Sequence, residues 1–290
     1  MKNNHPKKIF WLATYPKSGN TWIRAILSSI FFTSDGIFNF KLLKNITAFD
    51  SGINYEFLKT ININDFKNLN KINIISQYWV EAQNRIKIDG DFVIYKTHSM
   101  NANIYHNDLQ KNFQYTDKNI TLAYIYIVRD PRDVVISYSN FLGKDVDSTI
   151  NSVLNKNKIL KAGNIAQPIS SWDNHFLSWY NFNTVPRLII KFEDLLLKRK
   201  KSINRIFKFL ENDLKFKFQN RDTKINNIIE STQFKNFQSK EVDEGFDEAS
   251  EHSKFFRKGL MGEWKKNLSK SQIDRINKSF ENVMKKIGYL

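Results

Sequence analysis

Among the 290 residues, four short stretches hold side chains suited to gripping a polyanion and moving a proton. Pro16-Lys17-Ser18-Gly19-Asn20-Thr21 sets one ammonium and two hydroxyls around a glycine. A tight turn of that kind, leading into a helix, presents backbone N–H groups and the positive helix end to an anion. Gly19 lets the backbone come close to such a ligand. The loop departs from the nucleoside-triphosphate pattern G-x-x-x-x-G-K-[ST]: Asn20 stands where the lysine is required, and the upstream glycine is missing. Its lysine has moved to the front, at Lys17. Arg129 offers a planar fork of donors matched to a phosphate, and Ser137 adds a hydroxyl from the segment that follows. Arg257-Lys258-Gly259 supplies two more cations beside a glycine. His98, after Lys96-Thr97, has the side chain whose ordinary pKa suits a general base near neutrality.

The elements that must position these groups are legible from periodicity. Ile9 to Thr14 reads as a short buried strand, Tyr15 to Gly19 as a turn, and Asn20 to Phe32 as a helix apolar on most sides. Phe92 to Tyr95 is a second buried strand, ending at Lys96-Thr97-His98. Thr121 to Val128 is a third, ending at Arg129, after which Asp130 caps and Pro131 opens a helix through Val134, Val135 and Tyr138. Leu188 to Phe192 is a fourth strand. Ile203, Ile206, Phe207 and Leu210 mark an amphipathic helix. Ile273, Ile276, Phe280, Val283 and Ile287 mark the last helix, with Ser269 and Gln272 as its capping box. Residues 37 to 73 carry weak signals and read as loops and short helices. Buried strands alternating with helices predict an α/β fold, a central parallel sheet flanked by helices in three layers. Ligands of such sheets bind beyond the carboxyl ends of the strands. Lys17 and Ser18, His98, and Arg129 all follow strand ends and are expected to converge there. No linker or repeat divides the chain, which reads as one domain, 1–290.

Composition narrows the function further. The chain has no Cys, which excludes a disulfide framework, a zinc–thiolate site and a Cys nucleophile. No compact carboxylate–histidine cluster appears in the sequence. The apolar run after Lys7-Lys8 is broken at Thr14, Pro16 and Lys17, too soon for a signal segment. No stretch approaches the ~20 apolar residues of a membrane span, and a cytoplasmic protein without a stable membrane anchor is expected. Lys and Arg exceed Asp and Glu by 16 charges, a balance that favours an anionic partner. The cations are dispersed and no nucleic-acid recognition motif is visible, so nucleic acid is not the expected partner. The stretch 240 to 254 is acidic; its length suggests mobility, and its charges read as a solvated loop.

Thr14-Tyr15-Pro16-Lys17-Ser18-Gly19-Asn20-Thr21-Trp22 resembles the 5′-phosphosulfate loop of the sulfotransferases, usually written TYPKSGTTW, with Asn20 the one departure. Ile127 to Val134 with Ser137-Tyr138 is similar to the family's 3′-phosphate segment. Phe255 to Lys265 resembles its RKGxxGDWK motif, with Glu263 in place of Asp, and Lys96-Thr97-His98 its KTH. Weaker likenesses are Trp172 to His175 (W-x-x-H), Phe192-Glu193-Asp194 (YED, with Phe for Tyr) and Thr232-Gln233-Phe234 (T-x-F). The likeness runs from about Ile9 to Lys265 in family order.

The resemblance implies sulfuryl transfer from 3′-phosphoadenosine 5′-phosphosulfate (PAPS) to a hydroxyl or amine, with adenosine 3′,5′-bisphosphate (PAP) as product and no metal. It implies that His98 is the base and Lys17 stabilises the leaving group. Ser137 would tie the 3′-phosphate to Lys17 and hold that lysine back until an acceptor arrives. Lys17, Ser18, Gly19, Asn20, Thr21 and Trp22 would hold the 5′ side of the nucleotide and its base. Arg129, Ser137, Arg257, Lys258 and Gly259 would hold the 3′-phosphate, and Phe192, Thr232 and Phe234 the remaining nucleotide surface. The acceptor, a small molecule or glycan, would be set by residues 37–78 and 143–168, whose Phe38, Phe40, Phe49, Tyr55 and Phe57 suit either an apolar acceptor or ordinary core. Family members often dimerise through a KTVE-like stretch; Lys265 to Ser269 lacks its centre, so a homodimer is left open. Two other readings stand against this one: a P-loop kinase of a small molecule, and a non-enzymatic basic nucleic-acid binder.

Overall fold

The computed structural model describes residues 8–88, 90–246, 248–249, 252, 254, 256 and 258–290. Nine strands occur among them: β1 (Ile9–Thr14), β2 (Thr47–Ala48), β3 (Val93–Thr97), β4 (Asn103–His106), β5 (Lys111–Gln114), β6 (Thr121–Val128), β7 (Ile159–Ala162), β8 (Ile165–Pro168) and β9 (Arg187–Lys191). Five form a central parallel sheet in the order β2-β3-β1-β6-β9, flanked by helices, as the α/β reading expects. β4 with β5 and β7 with β8 are antiparallel hairpins outside it.

β1 is wholly buried, which is why it reads as an unbroken apolar run rather than an alternating one. Its register with β3 runs from Ile9 opposite Val93 to Ala13 opposite Thr97. β2 pairs with the other edge of β3, Ala48 opposite Lys96, and the Phe49 N–H donates to the Lys96 carbonyl at 3.0 Å. These pairings draw Lys96 and Thr97 into the strand, so β3 starts one residue later and ends two residues later than the sequence suggests. β9 ends one residue earlier than expected: Phe192 opens the helix Phe192–Leu197, whose first turn carries Glu193 and Asp194. Acidic side chains favour a helix N-terminus, which settles that boundary.

The chain divides into two compact units. The first comprises residues 1–15, 46–126 and 155–188. Its core is aromatic: the Trp11 ring meets Phe49 edge-on at 5.1 Å, and Tyr115 packs against Trp11 and Trp79. The second comprises residues 16–45, 127–154 and 189–290. It carries the helix Asn20–Phe32, whose C-terminal carbonyls are capped by a buried lysine: Lys224 Nζ donates to Ile30 O at 3.0 Å and Thr33 O at 2.7 Å. Asp130 caps the helix Pro131–Leu142, and the Ser269–Gln272 capping box opens the helix Lys270–Ile287, both as expected. Of the aromatics considered for the acceptor, Phe38, Phe49 and Tyr55 are buried core side chains.

Candidate active site

The second unit holds the loop residues and cations that the sequence singles out. Between β1 and the helix Asn20–Phe32 the backbone turns through two left-handed residues, Lys17 at φ 67° and Gly19 at φ 100°. Lysine rarely adopts such an angle, and strain of this kind collects where a loop is shaped around a ligand. A Cβ on Gly19 would stand 2.7 Å from Cδ2 of Phe192, so only glycine fits. The Ser18 hydroxyl is fully buried and has no hydrogen-bond partner among the described residues. Buried hydroxyls are normally paired, so this one marks a place for a missing acceptor.

Arg129 ties the loop to the C-terminal glycine segment. Its Nη1 donates to Lys17 O at 3.1 Å and its Nη2 to Leu260 O at 2.9 Å, while the guanidinium lies 4.5 Å from the centre of the Phe192 ring. Burial pushes this guanidinium below its ordinary pKa, against the opposing charges of Asp133, Glu193 and Glu263. A cation desolvated in this way gains from any phosphate placed beside it. Lys17 Nζ sits 4.0 Å over the Phe141 ring. Phe141 lies four residues beyond the half-buried Ser137 on the helix Pro131–Leu142, so the two share one helix face.

Asp133 holds the other side of the glycine segment, accepting from Gly262 N at 2.6 Å and Trp264 N at 3.1 Å. Gly259 is left-handed at φ 59°, and a Cβ there would stand 2.6 Å from the Phe234 ring. Exposed Lys258 pairs with Glu263 at 3.0 Å; Arg257 lies outside the described residues. Trp22 is buried, donating from Nε1 to Thr232 O at 3.0 Å and meeting the Phe192 ring edge-on at 5.8 Å. The loop and strand-end residues Lys17, Ser18, Gly19, Trp22, Arg129, Phe192, Thr232, Phe234 and Gly259 thus form one connected constellation.

The acidic stretch is not simply solvated. Glu248 Oε1 accepts from Arg24 Nη1 at 2.5 Å and its Oε2 lies 3.5 Å from Thr21 Oγ1; with Arg24 buried, salt screens the pair little. Glu241 accepts from Phe256 N at 2.9 Å. Charge alone misleads here because the cation that captures Glu248 lies 224 residues away in sequence.

His98 belongs to the first unit. The β1–β3 register, continued by one residue, sets it beside Thr14. Its Nδ1 lies 3.0 Å from both the carbonyl oxygen and the hydroxyl of Thr14. A carbonyl only accepts, so Nδ1 carries the proton in the neutral ring and Nε2 the basic lone pair. The His98 carbonyl accepts in turn from His175 Nε2 at 2.9 Å, and His175 Nδ1 accepts from the Tyr126 hydroxyl at 2.8 Å. Burial depresses the His175 pKa to about 3, so this second imidazole is neutral and structural. Sequence reading assigned it no such role; its signal was the W-x-x-H spacing. Asp50 and Tyr115, which also brace this strand end, gave no signal at all. Among the described residues no group of acidic, His or Cys side chains could hold a metal ion, and no helix is long and apolar enough to cross a membrane.

The family model for the sulfotransferase domain matches residues 7–288. An amine sulfotransferase of Oryctolagus cuniculus is 25% identical over 282 residues, covering 95% of this chain and 80% of that protein. Sulfotransferase 1E1 of Homo sapiens is 26% identical over 284 residues, with 94% and 83% covered. In fold the chain is similar to mouse sulfotransferase SULT7A1 complexed with PAP, at a TM-score of 0.57 and 20% identity over 96% of this chain and 84% of that one. It is likewise similar to retinol dehydratase in complex with androsterone and inactive cofactor PAP, at a TM-score of 0.62 and 18% identity, with 97% and 82% covered. A strained left-handed turn at Lys17 and Gly19, a buried arginine crossing to a glycine segment, and a match over nearly the whole length converge on one assignment: the chain belongs to the sulfotransferase family and is a PAPS-dependent sulfotransferase.

Proposed function

We propose that this protein transfers a sulfuryl group from PAPS to a hydroxyl or amine of a small-molecule or glycan acceptor, as a single sulfotransferase domain over 1–290. The observation that carries the reading is the buried, unpartnered Ser18 hydroxyl inside a loop strained at Lys17. That pair fits a phosphate better than it fits an ordinary turn. Lys17, Ser18, Gly19, Asn20 and Thr21 would hold the 5′ side, and Arg129, Ser137, Arg257, Lys258 and Gly259 the 3′-phosphate. Trp22, Phe192, Thr232 and Phe234 would border the base, where aromatic faces favour stacking. The bound donor supplies an activated sulfuryl group on a good leaving phosphate. His98 Nε2 takes the acceptor proton as the acceptor–sulfur bond forms. The Lys17 ammonium stabilises the charge left on the bridging oxygen as the old bond breaks. Ser137, sharing a helix face with the ring that carries Lys17, draws that ammonium toward the 3′-phosphate until an acceptor is present.

The names of two relatives, an amine sulfotransferase and a 3-beta-hydroxysteroid sulfotransferase, keep both amine and hydroxyl acceptors in view. The same relatives support a cytoplasmic protein. His98→Ala is expected to lower transfer to a panel of phenolic, steroid and amine acceptors by about 10²- to 10⁴-fold while PAP binding stays intact. Unchanged turnover in that variant would remove His98 from the chemistry.

A further inference from the structure

Asp50 is a buried carboxylate at the end of β2, 5% exposed, and no step above uses it. Continued past the last paired residues, the two parallel registers set Thr14, His98 and Asp50 in one row across the ends of β1, β3 and β2. His98 stands between the other two. Thr14 holds its ring. Asp50 holds both of its neighbours in the chain: Thr97 Oγ1 donates to Asp50 Oδ2 at 2.8 Å and Ser99 Oγ to Oδ1 at 3.2 Å. The set is closed by Tyr115, whose hydroxyl lies 3.1 and 3.2 Å from the two carboxylate oxygens and 2.7 Å from Thr97 Oγ1. The Ser99 N–H also donates to Thr97 Oγ1 at 2.9 Å, which fixes the turn at His98 locally.

A carboxylate is the one side chain here that accepts from all three hydroxyls at once, since each of its oxygens has two lone pairs and neither carries a proton. Hydrogen bonds to a charged acceptor are shorter and stronger than neutral ones, so this clamp is stiffer than an amide would make it. Taking a carboxylate out of water is costly. Tyr115 offsets part of that cost by donating from its hydroxyl. Burial with the Asp50 charge drives the phenols of Tyr55 and Tyr115 well above their ordinary pKa, keeping both neutral. A strand end that needed only packing would be served as well by apolar residues.

We infer that Asp50 is a positioning residue for the proposed base: through Thr97 and Ser99 it fixes the backbone at His98, so that the ring stays on Thr14 with Nδ1 protonated and Nε2 as the basic nitrogen. The inference rests on the reading of His98 as the base for its catalytic consequence, but not for its structural one. The groups facing Asp50 are Thr97, Ser99, Tyr115 and Tyr55. Removing the charge is expected to loosen the ring on Thr14 without touching the anion loop.

The test is Asp50→Asn in the full chain, with two readouts. The first is nitrogen-detected NMR of the imidazoles, assigned by His98→Gln, which reports tautomer and pKa and needs neither donor nor acceptor. The expected result is mixed tautomers at His98 in the variant, against a dominant Nδ1–H form in the wild type. The second is steady-state kinetics, expected to show kcat lower by about 10- to 100-fold, the cost typical of a small misplacement of a reacting group, with KM for PAPS and affinity for PAP within about twofold. A His98 tautomer and pKa identical to wild type overturn the inference, whatever the kinetics. A changed tautomer with no transfer activity even in wild type would sustain the positioning role and count instead against the proposed function. Should Asp50→Asn not fold, Ser99→Ala removes one bond to the carboxylate and leaves the charge in place. It is expected to shift the His98 signal in the same direction by less, and no shift there contradicts the inference.

Discussion

Two glycines of the candidate site, Gly19 and Gly259, are fixed by the close approach of a neighbouring ring. At Gly259 a methyl would fall 2.6 Å from the Phe234 ring, at a φ of 59°. Gly259→Ala must therefore displace the ring proposed to border the base. It is expected to cost about 1–3 kcal/mol in stability, read by urea unfolding, and to weaken PAP binding about tenfold or more. Affinity within twofold of wild type would mean that Phe234 does not border the nucleotide. Arg129 makes a sharper case. Its two terminal nitrogens reach Lys17 O and Leu260 O, a span that a single ammonium cannot copy. Arg129→Lys keeps the charge, yet is expected to lose about tenfold or more in PAP affinity by calorimetry. If lysine binds PAP as well as arginine does, charge alone matters there and the bridging geometry does not.

Two buried groups on neighbouring elements titrate in opposite senses, and their signs can be separated. Asp50, after β2, has its pKa raised by burial from 3.8 to about 6. Its folded form holds a proton more tightly than the unfolded chain does, so it costs stability as pH rises through that window, about 3 kcal/mol by pH 7. His175, on the helix Trp172–Tyr180, has its pKa lowered by burial from 6.5 to about 3. It resists protonation, so stability falls as pH drops from 6.5 toward 3. Between pH 7 and pH 4 the two effects largely offset each other. Asp50→Asn removes one of them. Relative to wild type, the variant is expected to lose about 2–3 kcal/mol between pH 7 and pH 4, measured by urea unfolding at both. A difference independent of pH would show that Asp50 is already charged at pH 4.

The elements themselves were largely readable, for physical reasons that also explain the misses. β1 and β6 are largely apolar runs rich in β-branched and aromatic residues, and their ends carry the motifs. Asp130-Pro131 and Ser269-x-x-Gln272 announce helix starts through chemistry local to them. β2 has two residues, too few for any period to show, and it is β2 that delivers Asp50. The hairpins β4–β5 and β7–β8 have four-residue strands, one of them mostly exposed, which hides them in the same way. In the site, residues in contiguous motifs could be named from sequence. The clamp on His98 could not, because Asp50, Tyr115 and His175 come from separate segments that meet only in the folded chain.

For the molecule as a whole, family membership settles the reaction class and leaves the residue roles to experiment. The net charge of +16 is a weak guide beside the placement of a few cations. Arg129 and Lys17 are held within the second unit, bonded to its own backbone and rings, as a preformed phosphate grip requires. The most direct test is calorimetric titration with PAP in the absence of magnesium, with ATP as the comparison ligand. Tight PAP binding, weaker ATP binding, and loss of the PAP signal in Arg129→Ala and Arg257→Ala are expected. Preference for ATP with a requirement for magnesium, or no nucleotide binding at all, would contradict the proposed donor site.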